Sequence, residues 1–480
     1  MKYIFTLALA TISFLILGCK ESYPSIFMEE EPVPDVIHAE NDEDGRVPIT
    51  PTMTEPQYEI LTRGTGAFGN FDVDSDHWLS AKFHTYALLG SNIFSNSDAQ
   101  GFVDYTRNDN DHRLLWDQRM KITDGSLNVH FFDESDNLVT RYYSWQRQNW
   151  KYNFFTYYAD DLDLNGKEIV SAKDIKVSFD IDGTQDIMHA VAYHTNKQFD
   201  DAVKDLNEEE DKPIHQYKDE LLYSTMAGHR GLNPIFNINH LLTRLDFMIK
   251  GAKPANASSS DNMPDSYRKI VVRKVTVTVP NHATLTIADE KWSDSTVYKT
   301  DLQNNNVITF SGTPQELPII MNREPVENYY KWILEDDKYK ENPYKEEDAQ
   351  FHITSTKISA LGKPIMLPSS DMFVVTLYSD MLDVSASSTE DDGFLVNKIK
   401  SLDPIHYNVR YSNGAFEAGH AYTVIISVYG VQNIEGTLTL NAWIGRDAGD
   451  FVGKEQGEYN PNGDHVVSVG GDDEEDNGKK

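Results

Sequence analysis

The chain has 480 residues, 39% of them hydrophobic and 11% aromatic, which is enough for more than one packed core. Its 43 basic and 76 acidic residues give a formal charge of −33, which excludes nucleic acid as a partner because phosphates would be repelled. Much of the acid sits in "MEEEPVPD" and "ENDEDG" near the start and in "DDEED" at Asp472–Asp476, so the charge says little about a folded surface.

In chain order, Lys2 precedes an apolar run, Ile4–Gly18, too short to span a bilayer as an ordinary helix. The run ends at Cys19. This is the layout of a secretory signal, and "LILGCK" resembles the bacterial lipobox, in which the cysteine is acylated and becomes the mature N-terminus. Cys19 is the only cysteine, so no intrachain disulfide competes for it. Residues 1–18 are therefore expected to be a lipoprotein signal peptide. Lipid attachment at Cys19 would tether the product to a membrane without spanning it. Residues 19–56 are acidic, proline-containing and aperiodic, and read as a tether or propeptide with room for one strand near its end.

Next comes "EILTRGTGAFGNFDVDSD", in which Gly64, Gly66 and Gly69 spell a dinucleotide-loop pattern. Such a loop must open a helix that receives the pyrophosphate. Here the glycines run into three aspartates with no helical period, so a phosphate cradle is excluded. Further on, "DLDLNG" places Asp161, Asp163, Asn165 and Gly166 as in a calcium loop, but the twelfth position is Ala172 where a glutamate is needed. A hairpin turn is the better reading. The aromatic run from Tyr142 to Tyr158, with Trp145 and Trp150, suits either a sugar-stacking platform or a strand core.

From there a period of two dominates. Ile175, Val177, Phe179 and Ile181 alternate up to an Asp182–Gly183 turn signal, and Leu245, Phe247 and Ile249 alternate against Arg244, Asp246 and Lys250. Two runs flank Pro280–Asn281, and "FVVTLYS", "AYTVIISVYG" and "GTLTLNAWIG" carry the pattern to Gly445. Short helices are expected on loops, at "DAVKDLNEEE" (201–210) and "VENYYKWILEDDKY" (326–339). Many short strands between polar loops predict an all-β fold of consecutive antiparallel sandwiches. The expected division is 57–236, 237–446 and an acidic, glycine-rich tail at 447–480, whose one strand-like stretch is "HVVSV".

No H-E-x-x-H pair and no G-x-S-x-G elbow occurs, and the lipidated cysteine removes thiol chemistry. No enzyme, metal or cofactor is expected.

"NINHLLTRLDFMIKGA" resembles the strand that opens the C-terminal domain of fimbrillins, the subunits of type V pili. "FEAGHAYTVIISVYGVQNIEGTLTLNAWIG", with Trp443 near its end, resembles their closing hairpin, and "EILTRGTGAF" resembles the segment where the family is processed. The resemblance implies two transthyretin-like β-sandwiches, export to the cell outer membrane as a lipoprotein, and cutting by an arginine-specific protease. Loss of the first strand would open a groove that a strand of another pilus subunit fills. Carried onto this chain, Cys19 is the lipid site and the bond Arg63–Gly64 the processing site, with Arg46–Val47 as the rival. The implied role is assembly into or onto a surface fimbrium serving adhesion; the alternative is a surface lipoprotein that binds glycans through its aromatics.

Overall fold

The computed structural model describes residues 46–54, 79–90, 103–110, 112–123, 129–144, 150–160, 162, 164, 166–204, 223–251, 270–321, 332–335, 338–341, 351–352, 359–389, 395–401, 403–411, 414–430, 433–441 and 465–467. The chain is all-β. In order, the first strands are β1 (Thr52–Thr54), β2 (Phe83–Leu89), β3 (Arg113–Ile122), β4 (Val129–Phe132), β5 (Leu138–Val139) and β6 (Tyr152–Tyr158). There follow β7 (Ile169–Val170), β8 (Asp174–Asp180), β9 (Met188–Val191), β10 (Ile235–Asn237), β11 (Asn239–His240) and β12 (Thr243–Gly251). β13 (Ile270–Val279), β14 (His282–Asp289) and β15 (Ile308–Ser311) open the second half.

A seven-stranded sheet runs β11-β9-β6-β2-β3-β4-β5, with every pair antiparallel. One face packs on a core containing Met53, Phe83, Met120, Phe131 and Phe154. The other packs on a larger core shared with later strands, to which Tyr86, Phe155 and Tyr157 belong. This explains β6: all seven of its residues are buried, because the strand is central and both of its faces meet a core. The rings of Tyr152–Tyr158 are therefore packing, as is Tyr143, while Trp150 is half-buried with its ring edge-on to His112 at 5.6 Å. Trp145 lies outside the described residues.

The second core is closed by a four-stranded sheet, β15-β14-β8-β7, in which β8 pairs antiparallel with β14 across the middle of the sequence. Ile175, Val177 and Phe179 of β8 point inward as their alternation requires. The Asp182–Gly183 turn has Gly183 at φ 92, and a Cβ there would meet Ile365 Cγ1 at 2.5 Å. Glycine is required on both counts.

β12 lies parallel to Ala421–Gly430, which pairs antiparallel with Asn433–Asn441, so two of the three stretches that carried the family resemblance are neighbours in one sheet. Trp443 is outside the described residues. Leu245, Phe247 and Ile249 are buried as expected. Arg244, expected on a solvent face, is buried as well and donates to Asp246 at 2.7 Å. Pro280–Asn281 is a crossing between sheets: β13 pairs with Gln315–Pro318 and Met372–Thr389, whereas β14 belongs with β8. Among the described residues four strand pairs are parallel, the last being Ile405–Arg410 with His465–Val467 from the "HVVSV" stretch.

The helices shift from their expected places. α1 (Asn196–Lys204) begins five residues before 201, and 205–210 are not described. Its start is a capping box: Thr195 Oγ1 accepts from the Gln198 N–H at 3.1 Å, and Gln198 Oε1 accepts from the Thr195 N–H at 3.2 Å. α2 (Thr225–His229) is capped by Ser224, and α3 (Ser295–Gln303) by Asp294. No helix forms within the described part of 326–339. Trp332–Glu335 and Lys338–Glu341 are paired strands instead, and the first also pairs parallel with Leu395–Ser401. Sheet partners override a helical pattern that short.

Candidate functional site

The most unusual local arrangement is the segment Arg46–Thr54, inside the stretch expected to be a tether. Val47, Ile49 and Met53 are 1%, 4% and 0% exposed, and Pro51 between them is also buried. Period two over V-P-I-T-P-T-M puts these four on one side of an extended chain. The prolines fit because neither is asked to donate: the neighbours contact carbonyls and the intervening amides. The Ile49 N–H donates to the Arg141 carbonyl at 2.8 Å, and the Tyr143 N–H donates to the Val47 carbonyl at 3.0 Å. Pro51 accepts from the Val129 N–H at 3.4 Å. Thr52 N–H donates to the Pro234 carbonyl at 2.8 Å, and β1 then runs parallel to β10 in the register Thr52↔Ile235, Met53↔Phe236, Thr54↔Asn237.

The segment is thus an inserted strand, held by residues 141–143 on one side and 234–237 on the other. Its seat is rigid. Arg141 Nε donates to Gln118 Oε1 at 2.6 Å, and Gln118 Nε2 donates to the Phe132 carbonyl at 2.5 Å, fixing the 141 end to the sheet. Burying Val47, Ile49 and Met53 stabilises the insert by roughly 1.5–3 kcal/mol each, an upper bound because the unfolded chain already hides some of that surface. Withdrawing the insert would strip partners from the Arg141 and Pro234 carbonyls and the Tyr143 and Val129 amides. Each costs about 1–3 kcal/mol if it stays buried and unpaired. An empty seat therefore demands another strand.

Of the processing candidates, only Arg46 and Val47 lie among the described residues. Arg46 is exposed, with its guanidinium carbon 4.2 Å from the centroid of the Tyr142 ring, while Val47 is in the core. A protease needs several residues on both sides of the bond in extended, detached form. After the Arg46–Val47 bond the chain is neither detached nor free, since Val47, Ile49 and Met53 are in the core. Cys19, Arg63 and Gly64 are outside the described residues, as are Gly66, Gly69, Asp161, Asp163 and Asn165. Gly166, at φ 72, sits in a turn. Among the described residues no group of three or more His, Cys, Asp or Glu is gathered as for a metal.

Two buried histidines join elements. His189 Nε2 donates to the Ile287 carbonyl at 2.9 Å and its Nδ1 lies 2.9 Å from the Tyr298 hydroxyl, with Trp292 edge-on at 5.2 Å. Burial pushes the imidazole down to about 4. His240 Nδ1 lies 3.0 Å from Asp186, a carboxylate with no solvent exposure. Both are buried and tie β9 or β11 to neighbouring elements. Neither histidine belongs to a motif, so no signal along the chain singles them out.

No family model matches the chain, and no curated protein sequence matches it. Among solved structures it is similar to a protein assigned to cell adhesion from Bacteroides uniformis, at 12% identity, covering 84% of this chain and 99% of that one, with a TM-score of 0.37. It is similar to a fimbrilin from Porphyromonas gingivalis at 9% identity, covering 83% and 98% of the two chains, with a TM-score of 0.31. It is also similar to the fimbrial anchor protein Mfa2 from Porphyromonas gingivalis, at 7% identity, covering 82% and 98%, with a TM-score of 0.24. The structures this all-β chain is similar to are thus fimbrial and cell-adhesion proteins.

Proposed function

We propose that the chain is a non-enzymatic, surface-exposed subunit of a fimbrium, exported as a lipoprotein on Cys19 and held at the outer membrane. An arginine-specific protease then cuts after Arg63, and a strand of another subunit replaces the 47–54 insert in its seat. The observation that carries this reading is the insert itself. It is buried at alternate residues and bonded on both flanks, and it is the first of the described strands in the chain.

The two candidate cuts have opposite consequences. A cut after Arg46 leaves 47–54 seated as the new N-terminus and opens nothing. A cut after Arg63 separates the insert from the body covalently and makes its exchange possible. The reading therefore favours Arg63. Glycan capture by the aromatic run gains no support, because Tyr143 and the rings of β6 are in the cores.

The test is N-terminal sequencing of protein released from cells, joined to electrophoresis without boiling. A start at Gly64 with SDS-resistant ladders is the expected result. A start at Val47 with no ladders, or only acylated Cys19, would overturn the exchange.

A further inference from the structure

The insert has a second face. Thr50, Thr52 and Thr54 alternate with Ile49, Pro51 and Met53 and lie on the opposite side of the strand, and their hydroxyls fare differently. Thr54 Oγ1 donates to the Phe236 carbonyl at 3.4 Å. Thr50 Oγ1 and Thr52 Oγ1 are closed off from solvent and have no hydrogen-bond partner. Among the described residues no other threonine hydroxyl is both enclosed and without a partner. Threonines buried elsewhere are paired: Thr85 with Thr156 at 3.2 Å, Thr276 with Glu316 at 3.1 Å, Thr376 with His406 at 3.0 Å, and Thr225 with the Ser144 carbonyl at 2.9 Å.

An enclosed hydroxyl without a partner forfeits the bond it makes to water in the unfolded chain. A valine, close to threonine in shape and as good a strand former, forfeits nothing there. Both orphaned hydroxyls fall in the one segment that strand exchange requires to leave. The apolar side of that segment is well filled, since Val47, Ile49 and Met53 are in the core. The insert therefore holds its seat with sound packing on one face and a defect on the other.

We propose that the insert is a placeholder, and that its seat selects a strand of another subunit with valine-sized apolar side chains where Thr50 and Thr52 stand. Selection is then a difference of affinities set at two positions. In the intact chain the insert is covalently attached beside its seat, and that effective concentration offsets the defect. A cut after Arg63 removes the attachment, and the better-fitted strand displaces the insert. This last step rests on the fimbrial reading; the defect itself does not.

Urea unfolding and hydrogen exchange on the full chain test the defect. Thr50→Val/Thr52→Val should raise the urea midpoint and slow exchange at the Ile49 amide roughly tenfold or more. Thr54→Val is the control on the same face, because it removes a bonded hydroxyl, and it should raise neither readout. An equal gain from Thr54→Val would assign the effect to valine's strand preference and overturn the proposal, as would a double variant that is unchanged or less stable. Partner choice is read with full-length Met53→Ala protein, in which loss of a fully buried side chain loosens the insert. A fluorescent peptide of residues 46–54 carrying Thr50→Val/Thr52→Val should bind it roughly tenfold or more tighter than the native-sequence peptide. Equal affinities, or tighter binding of the threonine peptide, overturn the selection; binding of neither peptide overturns exchange at this seat. SDS-resistant ladders from cells report the fimbrial reading separately. They should form in wild type and diminish in the double variant, whereas ladders absent from both, with a raised midpoint, would sink that reading and leave the defect standing.

Discussion

Gly228 packs against Val47 so closely that a methyl group at residue 228 would come to 2.6 Å from Val47 Cγ1 and 2.9 Å from Tyr143 Cε2. α2 therefore closes over the first buried residue of the insert, and the Tyr143 ring, itself buried, leaves little room for relief. Gly228→Ala should destabilise the protein by about 1–3 kcal/mol through overpacking. The strain falls on the insert, so hydrogen exchange at the Ile49 and Thr52 amides should quicken more than at the amides of β6. Uniform exchange rates across both would remove α2 as the clamp.

Protection of the Arg46–Val47 bond can be read directly. An arginine-specific protease acting on native protein should cut after Arg63 and spare Arg46, as mass spectrometry of the fragments would show. Met53→Ala removes a fully buried side chain, a change that typically costs about 2–5 kcal/mol. Cleavage that waits on opening follows the open population. The variant should therefore be cut after Arg46 at least roughly tenfold faster. Equal rates in the two proteins would mean that the insert does not guard the bond.

His189 sets a pH dependence. Its neutral form is satisfied by the Ile287 carbonyl and the Tyr298 hydroxyl, and burial depresses its pKa from 6.5 to about 4. A depressed histidine adds stability that is present above the unfolded value and lost as pH falls from 6.5 towards 4. The full term is roughly 3 kcal/mol. Urea midpoints of wild type and His189→Gln, compared from about pH 7 to about pH 4, isolate it because other groups cancel. Their difference should shrink as pH falls. A constant difference would assign the slope to other groups.

What the sequence showed depended on how many faces each strand buries. β8 and β12 announce themselves because one side is apolar and the other polar. β6 does not: with a core on each side its aromatic run lacks alternation, and a sugar platform and a central strand look alike until packing decides. The insert carries a clear V-x-I-x-P-x-M alternation, but Pro48 and Pro51 and the acid before them give it the composition of a linker. Thr195-x-x-Gln198 has the spacing of a capping box, a signal that places the helix start ahead of the charged run at 201–210. Arg244 was unreadable, since its burial depends on strands far along the chain.

The pairing of β8 with β14 also governs the order of events as the chain emerges. His282 faces Asp180 across a sequence separation of 102 residues. A polypeptide emerging N-terminus first therefore presents β8 long before its partner arrives, with Ile175, Val177 and Phe179 still uncovered and a bare strand edge beside them. Contacts of such long sequence separation form slowly. The early part of the molecule must be kept from its neighbours until residue 289 has emerged, because only then can β14 cover β8.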